Sequence, residues 1–395
     1  MKNILLISYY FEPCQAIGAK RWSEFFTLFN QDEEYTITVL TANWKGIKVQ
    51  DPSVHYIGDE IEFKPFKSIN KQFTFLDTIK HPSIYFKSID KMMLKDSWLI
   101  HAKEWVDAHK SEQFDIIIAS FTPINAIRLG TYAKNIYKCK YFVDMRDMMS
   151  LQGQKVKIPL LHYIDNCVDK YWLKSADGIF TVGPTICEKA STFYKKPVHL
   201  IYNAFMGNQY IPHVQRNEFN KTKKIVFSYL GTMGNKRNPR QLIEWIERFF
   251  TNHKEYKAEI NFASQDNPHD FIQDLEINSI EIHWLGYLKK QEISQLKLDT
   301  DIFLLLEDTH ENGKENVTGK VFEYLLEQKP VIAFCHPDSD IKNILSNSGV
   351  GKIMSSYEEC ENFLLTIFEN KFEIDHQRIL QFSRENQFEF LKKLL

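Results

Sequence analysis

Short unbroken apolar runs alternate along this chain with stretches whose apolar residues recur every third or fourth position. The runs at 4–8, 35–41, 114–120, 140–144, 178–182 and 198–202 read as strands, and the stretches at 19–30, 98–109, 125–137, 160–174 and 185–194 as helices between them. The pattern then repeats. Strands are expected at 224–230, 258–263, 280–285, 302–306, 331–334 and 351–353, and helices at 240–250, 270–276, 291–298, 318–326, 340–346 and 358–369. Near-continuous apolar strands are covered on both faces, and the intervening helices supply the cover, so each half predicts a parallel sheet. The fold class is α/β, with two doubly wound domains facing each other across a cleft at the carboxyl ends of their strands.

The polar stretch 206–223 is the expected linker. It separates a first domain, 1–205, from a second, 224–378, and 379–395 reads as a C-terminal helix returning to the first domain. One segment breaks the alternation. Residues 62–97 set Phe63, Phe66, Phe73, Phe75, Tyr85 and Phe86 among Lys64, Lys67, Lys71, Lys80, Lys87, Lys91 and Lys95. Aromatic and basic residues so interleaved fit an amphipathic flap on a membrane or a lipid-linked acceptor, or else a helical hairpin packed on its own domain.

At 395 residues the chain exceeds one ordinary core. Hydrophobic residues make up 44% and charged residues 25%, as in globular proteins, and a net charge of −2 gives no pull toward nucleic acid. Residues 1–210 hold 26 Lys and Arg against 22 Asp and Glu, and the rest hold 23 against 29. A mildly basic first half suits an anionic membrane or a phosphate-bearing acceptor. Six cysteines, at 14, 139, 167, 187, 335 and 360, show no paired spacing, which argues against a zinc cluster or disulfide framework and for a reducing compartment. The apolar run after Met1-Lys2-Asn3 stops at Ser8, too early for a signal peptide, and no run reaches membrane-spanning length. A cytoplasmic protein is expected, with peripheral contact at the inner face of the membrane left open.

The candidate chemistry gathers in the second half. Residues 315–323, Glu-Asn-Val-Thr-Gly-Lys-Val-Phe-Glu, lie between two apolar strands and pass from loop to helix. The backbone N–H groups of Val317, Thr318, Gly319 and Lys320 fall at the helix N-terminus, where unpaired donors and the positive dipole end attract anions. Glu315 in the loop and Glu323 in the helix add carboxylates that can accept bonds from sugar and ribose hydroxyls, so the segment suits a sugar nucleotide. The stretch after the strand 224–230 carries Gly231, Thr232, Lys236 and Arg237 ahead of a helix, a phosphate clamp whose two cations face the cleft and can neutralise a leaving diphosphate. In the first half, Gly18 and Ala19 offer backbone amides at another helix start, with Lys20 and Arg21 adding charge; neither a dinucleotide fingerprint nor a P-loop is present. Arg146 and Asp147 follow a strand and either pair with each other or orient an acceptor hydroxyl. Gly286, Tyr287 and Leu288 end a strand where backbone groups can read a base. Asp338-Ser339-Asp340 opens a helix and reads as its cap. No metal-ligand set stands out.

Taken in order, these pieces resemble the retaining nucleotide-sugar glycosyltransferases of family 4. They are Tyr-Phe-Glu-Pro with Gly-Ala-Lys-Arg, Asp-Met-Arg-Asp at 144–147, Ala-Asp-Gly-Ile-Phe-Thr-Val at 176–182, Ile-Tyr-Asn at 201–203, Tyr-Leu-Gly-Thr at 229–232, Leu-Gly-Tyr at 285–287, the Glu315/Glu323 pair and Phe-Ser-Arg-Glu-Asn-Gln at 382–387. The nearest branch is that of bacterial surface-polysaccharide assembly. The resemblance implies the GT-B fold of two Rossmann-like domains and metal-independent transfer with retention. It also implies no cofactor, a nucleotide-sugar substrate (UDP- rather than GDP-linked) held mainly by the second domain, and a glycan or lipid-linked acceptor. It gives Glu323 the ribose, Glu315 the donor sugar, Gly18 the diphosphate loop, and Lys236 and Arg237 the phosphates. Thr232 departs from the family, which often carries Arg there, as does Val317-Thr318 in place of Phe-Gly. The His often found near Asp147 is missing. Two rivals share the architecture: a sugar-nucleotide epimerase, and a non-catalytic binding protein.

Overall fold

The computed structural model describes residues 1–63, 97–148, 159–210, 224–234 and 236–395. Most of the expected flap at 62–97 and of the linker at 206–223 lies outside the described residues. The chain divides into two compact units, Met1–Tyr202 with Phe388–Leu395, and Asn203–Gln387.

The first unit is built on seven parallel strands: β1 (Lys2–Ser8), β2 (Tyr35–Trp44), β3 (Val54–Ile61), β4 (Ile116–Phe121), β5 (Lys140–Met145), β6 (Gly178–Thr181) and β7 (Val198–Leu200). Their order is β3-β2-β1-β4-β5-β6-β7. Ile4 pairs with Ile37 on one side and Ile116 on the other, so the topology switches between β1 and β4. Helices α1 (Ile17–Asn30), α2 (Trp98–Ala108), α3 (Ile124–Tyr137), α4 (Pro159–Leu173) and α5 (Pro184–Tyr194) connect the strands. Ile4, Leu5, Leu6 and Ile7 are fully buried, which is why the run carries no polar alternation.

The second unit has six parallel strands: β8 (Lys224–Leu230), β9 (Lys257–Ala263), β10 (Ile280–Trp284), β11 (Ile302–Leu306), β12 (Val331–Phe334) and β13 (Gly351–Ile353). Their order is β10-β9-β8-β11-β12-β13, with the switch between β8 and β11. The helices are α6 (Arg240–Asn252), α7 (Lys290–Asp299), α8 (Gly319–Glu327), α9 (Asp340–Ser348), α10 (Tyr357–Phe368), α11 (His376–Leu380) and α12 (Arg384–Leu394). α6 buries Leu242, Ile243, Ile246, Phe249 and Phe250, a three-to-four spacing that sets one face on the sheet. As expected, Ser339 caps α9, its Oγ accepting from Ile341 N at 3.3 Å.

Two expectations are corrected. β3 is a strand that the apolar pattern missed. It is the edge of its sheet, half-exposed along most of its length, and contains Gly58, Asp59 and Glu60, so no buried run marks it. The helix expected at 270–276 is a short 3-10 turn, Pro268–Phe271, capped by Asn267. So few residues leave more orphan backbone groups at the ends than bonds inside, and the nucleus is not repaid.

The last residues split between the units. Arg384 N donates to Phe205 O at 2.7 Å in the second unit. Phe388 is buried and stands edge-on to Phe29 in the first unit, ring centres 4.7 Å apart, and Lys392 Nζ lies 3.0 Å from Asp32. No described helix is long and apolar enough to cross a membrane.

Candidate functional site

The switch between β8 and β11 puts two loops side by side: 231–239 after β8 and 307–318 after β11. In open α/β sheets this is where ligands bind. The first loop turns at Gly231, with φ +130°, where any side chain would overlap the Lys320 ammonium. Only glycine combines that backbone with so close an approach. Asp266 then holds the loop, its Oδ2 accepting from Met233 N at 2.7 Å and Gly234 N at 3.2 Å.

Two ion pairs join the loops. Arg237 donates through Nε to Glu307 Oε2 at 2.9 Å, and its second terminal nitrogen lies 2.9 Å from the same oxygen. Its other terminal nitrogen reaches Thr232 Oγ1 at 3.4 Å. Lys236 Nζ lies 3.0 Å from Asp308 Oδ2. The carboxylates are buried, whereas Lys236 is exposed and Arg237 half-buried. Burial works to raise the Asp308 carboxyl, yet bonds from the His310 backbone and ring and from Lys236 together hold it below its ordinary range.

Lys320 completes the cluster from the first turn of α8. Its Nζ donates to Tyr229 Oη at 3.3 Å and lies 4.8 Å from the centre of that ring. Burial, reinforced by Arg237, lowers its pKa to about 8, against the opposing pull of Glu307 and Glu323. Thr318 is the N-cap of α8, but its hydroxyl makes no capping bond. Gly319 is exposed, and a side chain there would meet nothing within 4 Å. The first turn of α8 therefore offers amide donors and the positive dipole end into open space, beside an ammonium and a guanidinium. That arrangement binds an anion with several oxygens.

The structure thus brings Gly231, Thr232, Lys236, Arg237, Gly319 and Lys320 together. Val317 and Thr318 are half-buried in the approach to α8, and Glu315 is buried. Glu323 lies further along α8, exposed, 3.3 Å from Lys297 Nζ. Gly286, with φ +67°, exposed Tyr287 and half-buried Leu288 follow β10, two strands from β8 and so about 10 Å across the sheet.

In the first unit, a side chain at Gly18 would run into the Arg146 guanidinium, which donates to Phe121 O at 3.2 Å. The cap of α1 at Ala16 makes no side-chain bond, so this start too has amide donors beside a cation. Ala19 is buried, and Lys20 is exposed 3.7 Å from Glu24. Asp147 is exposed. Arg21 is turned inward instead. It lies 3.1 and 3.2 Å from Asp144 Oδ1 and donates to the carbonyls of Tyr202 (2.8 Å) and Ile201 (3.0 Å), while Trp22 Nε1 donates to Asp144 Oδ2 at 2.8 Å. With 3% exposure it ties α1 to β5 and to the chain after β7.

Sequence reasoning passed over Glu307 and Asp308. Their signal was present: two acids directly behind an apolar run, on the strand next to the one that precedes Lys236 and Arg237. Among the described residues one acidic and histidine group has metal-like proximity: Glu259, Glu281 and His283. It lies on the edge strand β10 and its neighbour β9, and Lys224 already bridges its two carboxylates.

No protein-family profile matches the chain, and no curated protein matches it. Solved structures do. A sucrose-phosphate synthase from Thermosynechococcus elongatus superposes with a TM-score of 0.54 at 11% identity, covering 100% of this chain and 98% of that one. HepE of Anabaena, in complex with UDP-glucose, gives 0.55 at 13% identity, covering 100% and 99%. A Listeria monocytogenes protein described as a UDP-N-acetylglucosamine 2-epimerase gives 0.50 at 10% identity, covering 99% and 95%. At these identities the likeness is one of fold: the chain has the GT-B fold.

Proposed function

We propose that the chain is a glycosyltransferase that moves a sugar from a UDP-linked donor to a hydroxyl of a glycan or lipid-linked acceptor, with retention of anomeric configuration. The observation that carries this reading is the uncapped start of α8, open to solvent at Gly319 and flanked by Lys320 and Arg237 at the sheet's switch point. A diphosphate fits that charge and donor set. HepE, of the same fold, is known in complex with UDP-glucose, which supports a uridine diphosphate donor.

In the reaction the acceptor hydroxyl oxygen bonds to the anomeric carbon on the face from which the diphosphate leaves. The bond from that carbon to the phosphate oxygen breaks, its electron pair goes to the phosphate, and the acceptor proton follows to a phosphate oxygen. The chain need not supply a strong base. It supplies position, through Glu323 on the ribose and Glu315 near the donor sugar, and it stabilises the departing charge through Lys320, Arg237 and the α8 amides. That stabilisation is of the kind a bound divalent ion provides elsewhere, so no metal is required. The aromatic and basic segment 62–97, read from sequence, is the candidate contact with a membrane-borne acceptor in surface-polysaccharide assembly.

The test is a panel of UDP- and GDP-sugars scored by thermal stabilisation, followed by transfer of labelled sugar to membrane extract. A bound donor at 100 times its dissociation constant adds about 2.7 kcal/mol. No stabilisation by any nucleotide sugar would refute the reading. The second reading, an epimerase, draws on the fold it shares with the Listeria protein. It requires a new sugar epimer still attached to UDP, whereas transfer releases UDP.

A further inference from the structure

The position of Glu307 is out of proportion to the role of a strand end. Its side chain is 2% exposed. Oε2 takes both Arg237 contacts at 2.9 Å, while buried Oε1 has no hydrogen-bond donor among the described residues. A carboxylate taken out of water with half its acceptor capacity unused is costly, and such a group persists where its charge serves its neighbours. The neighbours are cations. Lys320 is faced by Tyr229 from β8, Arg237 from the loop after β8, Glu307 from the end of β11, and Glu323 from its own helix. Burial and Arg237 both push the ammonium to lose its proton; Glu307 and Glu323 oppose them. Glu323 is exposed and engaged with Lys297, so solvent screens it, whereas Glu307 acts from the interior.

We propose that Glu307 is a positioning residue of the diphosphate site: it fixes the Arg237 guanidinium through one oxygen and supplies the buried counter-charge that lets Lys320 stand as an ammonium beside Gly231. The inference rests on the donor-site reading above. Two cations confined together repel each other whenever the donor is absent, and Glu307 keeps the Lys320 ammonium charged and Arg237 in place for the next one.

The test is UDP binding by calorimetry, from about pH 6.5 to about 9.5, for wild type, Glu307→Gln and Glu307→Asp. Wild-type affinity falls as pH rises through about 8, where Lys320 loses its proton. In Glu307→Gln the fall begins at lower pH, so that with the Lys320 pKa about one unit lower the variant has lost about fourfold more affinity than wild type at pH 8, each measured against its own value near pH 6.5. Glu307→Asp keeps the charge and restores the position of the fall. A carboxylate that merely opposes the incoming anion predicts the reverse: Glu307→Gln binds more tightly at every pH, with the fall unmoved. That result overturns the inference and leaves the donor-site reading standing. If wild type binds no UDP at any pH, the donor-site reading falls and takes this inference with it. Should Glu307→Gln not fold, wild type decides alone. At about pH 8.5 UDP is fully ionised, since its terminal phosphate titrates near 6. Binding must then take up protons onto Lys320, read from the heat in buffers of different ionisation enthalpy, and zero uptake refutes the proposal.

Discussion

The cations at the switch point differ in what holds them, and their substitutions should differ accordingly. Lys236 is 71% exposed, and a pair so open to water contributes less than about 1 kcal/mol. Removing Arg237 leaves the buried Glu307 with neither oxygen bonded among the described residues, a loss of about 1–3 kcal/mol once the partial exposure of Arg237 is allowed for. In urea unfolding, Arg237→Ala is therefore expected to shift the midpoint clearly and Lys236→Ala hardly at all; equal shifts would contradict the burial argument. Turnover should separate them less, and the double variant should lose about 100-fold or more, the effect of removing preorganised charge stabilisation. Glu323→Ala should cost roughly 1.5–3 kcal/mol of donor affinity if its carboxylate holds the ribose, and unchanged calorimetric affinity would remove it from the site. These roles were legible to different degrees. Lys236 and Arg237 could be found because they follow a strand and a glycine turn. Glu307 left only the weaker signal of an acid behind an apolar run, because the worth of a buried acid depends on a partner 70 positions away that only the sheet order brings near.

At the scale of elements, strands such as 116–121 and 302–306 were readable because both faces are buried and the sequence there has no reason to alternate. β3 was not, since an edge strand half in water looks like a loop. The start of α1 shows the limit in the other direction. Four consecutive residues, Gly18 to Arg21, looked like one binding loop, but a helix turns successive side chains about 100° apart. Lys20 therefore meets solvent while Arg21 points to Asp144. Burial is the larger effect on Arg21 and lowers its pKa, and Asp144 counters it. Breaking such a pair from one side strands a charge. Asp144→Ala should cost about 3–5 kcal/mol, seen in denaturant unfolding. A cost below about 1 kcal/mol would mean that the tie between α1 and β5 is ornamental.

For the molecule as a whole, the proposed chemistry makes the charge on the chain itself sufficient. Activity should survive a chelator undiminished, and loss restored by manganese or magnesium would show that the charge stabilisation has been misassigned. The acidic and histidine group on β9 and β10 is not expected to matter for turnover, because Lys224 already bridges its two carboxylates. A pH profile should fall on its alkaline side near 8 as Lys320 deprotonates, whatever the acceptor.

The split ownership of the last helix bears on how the protein is made. The first unit is not finished when Tyr202 leaves the ribosome, because the patch of α1 around Phe25 and Phe29 is closed by Phe388. The 185 residues Asn203–Gln387 intervene. At roughly 5–20 residues per second their synthesis takes roughly 10–40 s. For that interval a nearly complete domain displays two phenylalanines to solvent, long enough for a chaperone or a second nascent chain to find them. A lesion that removes residues 388–395 would then be felt at the opposite end of the sequence, as aggregation of the unit that was translated first.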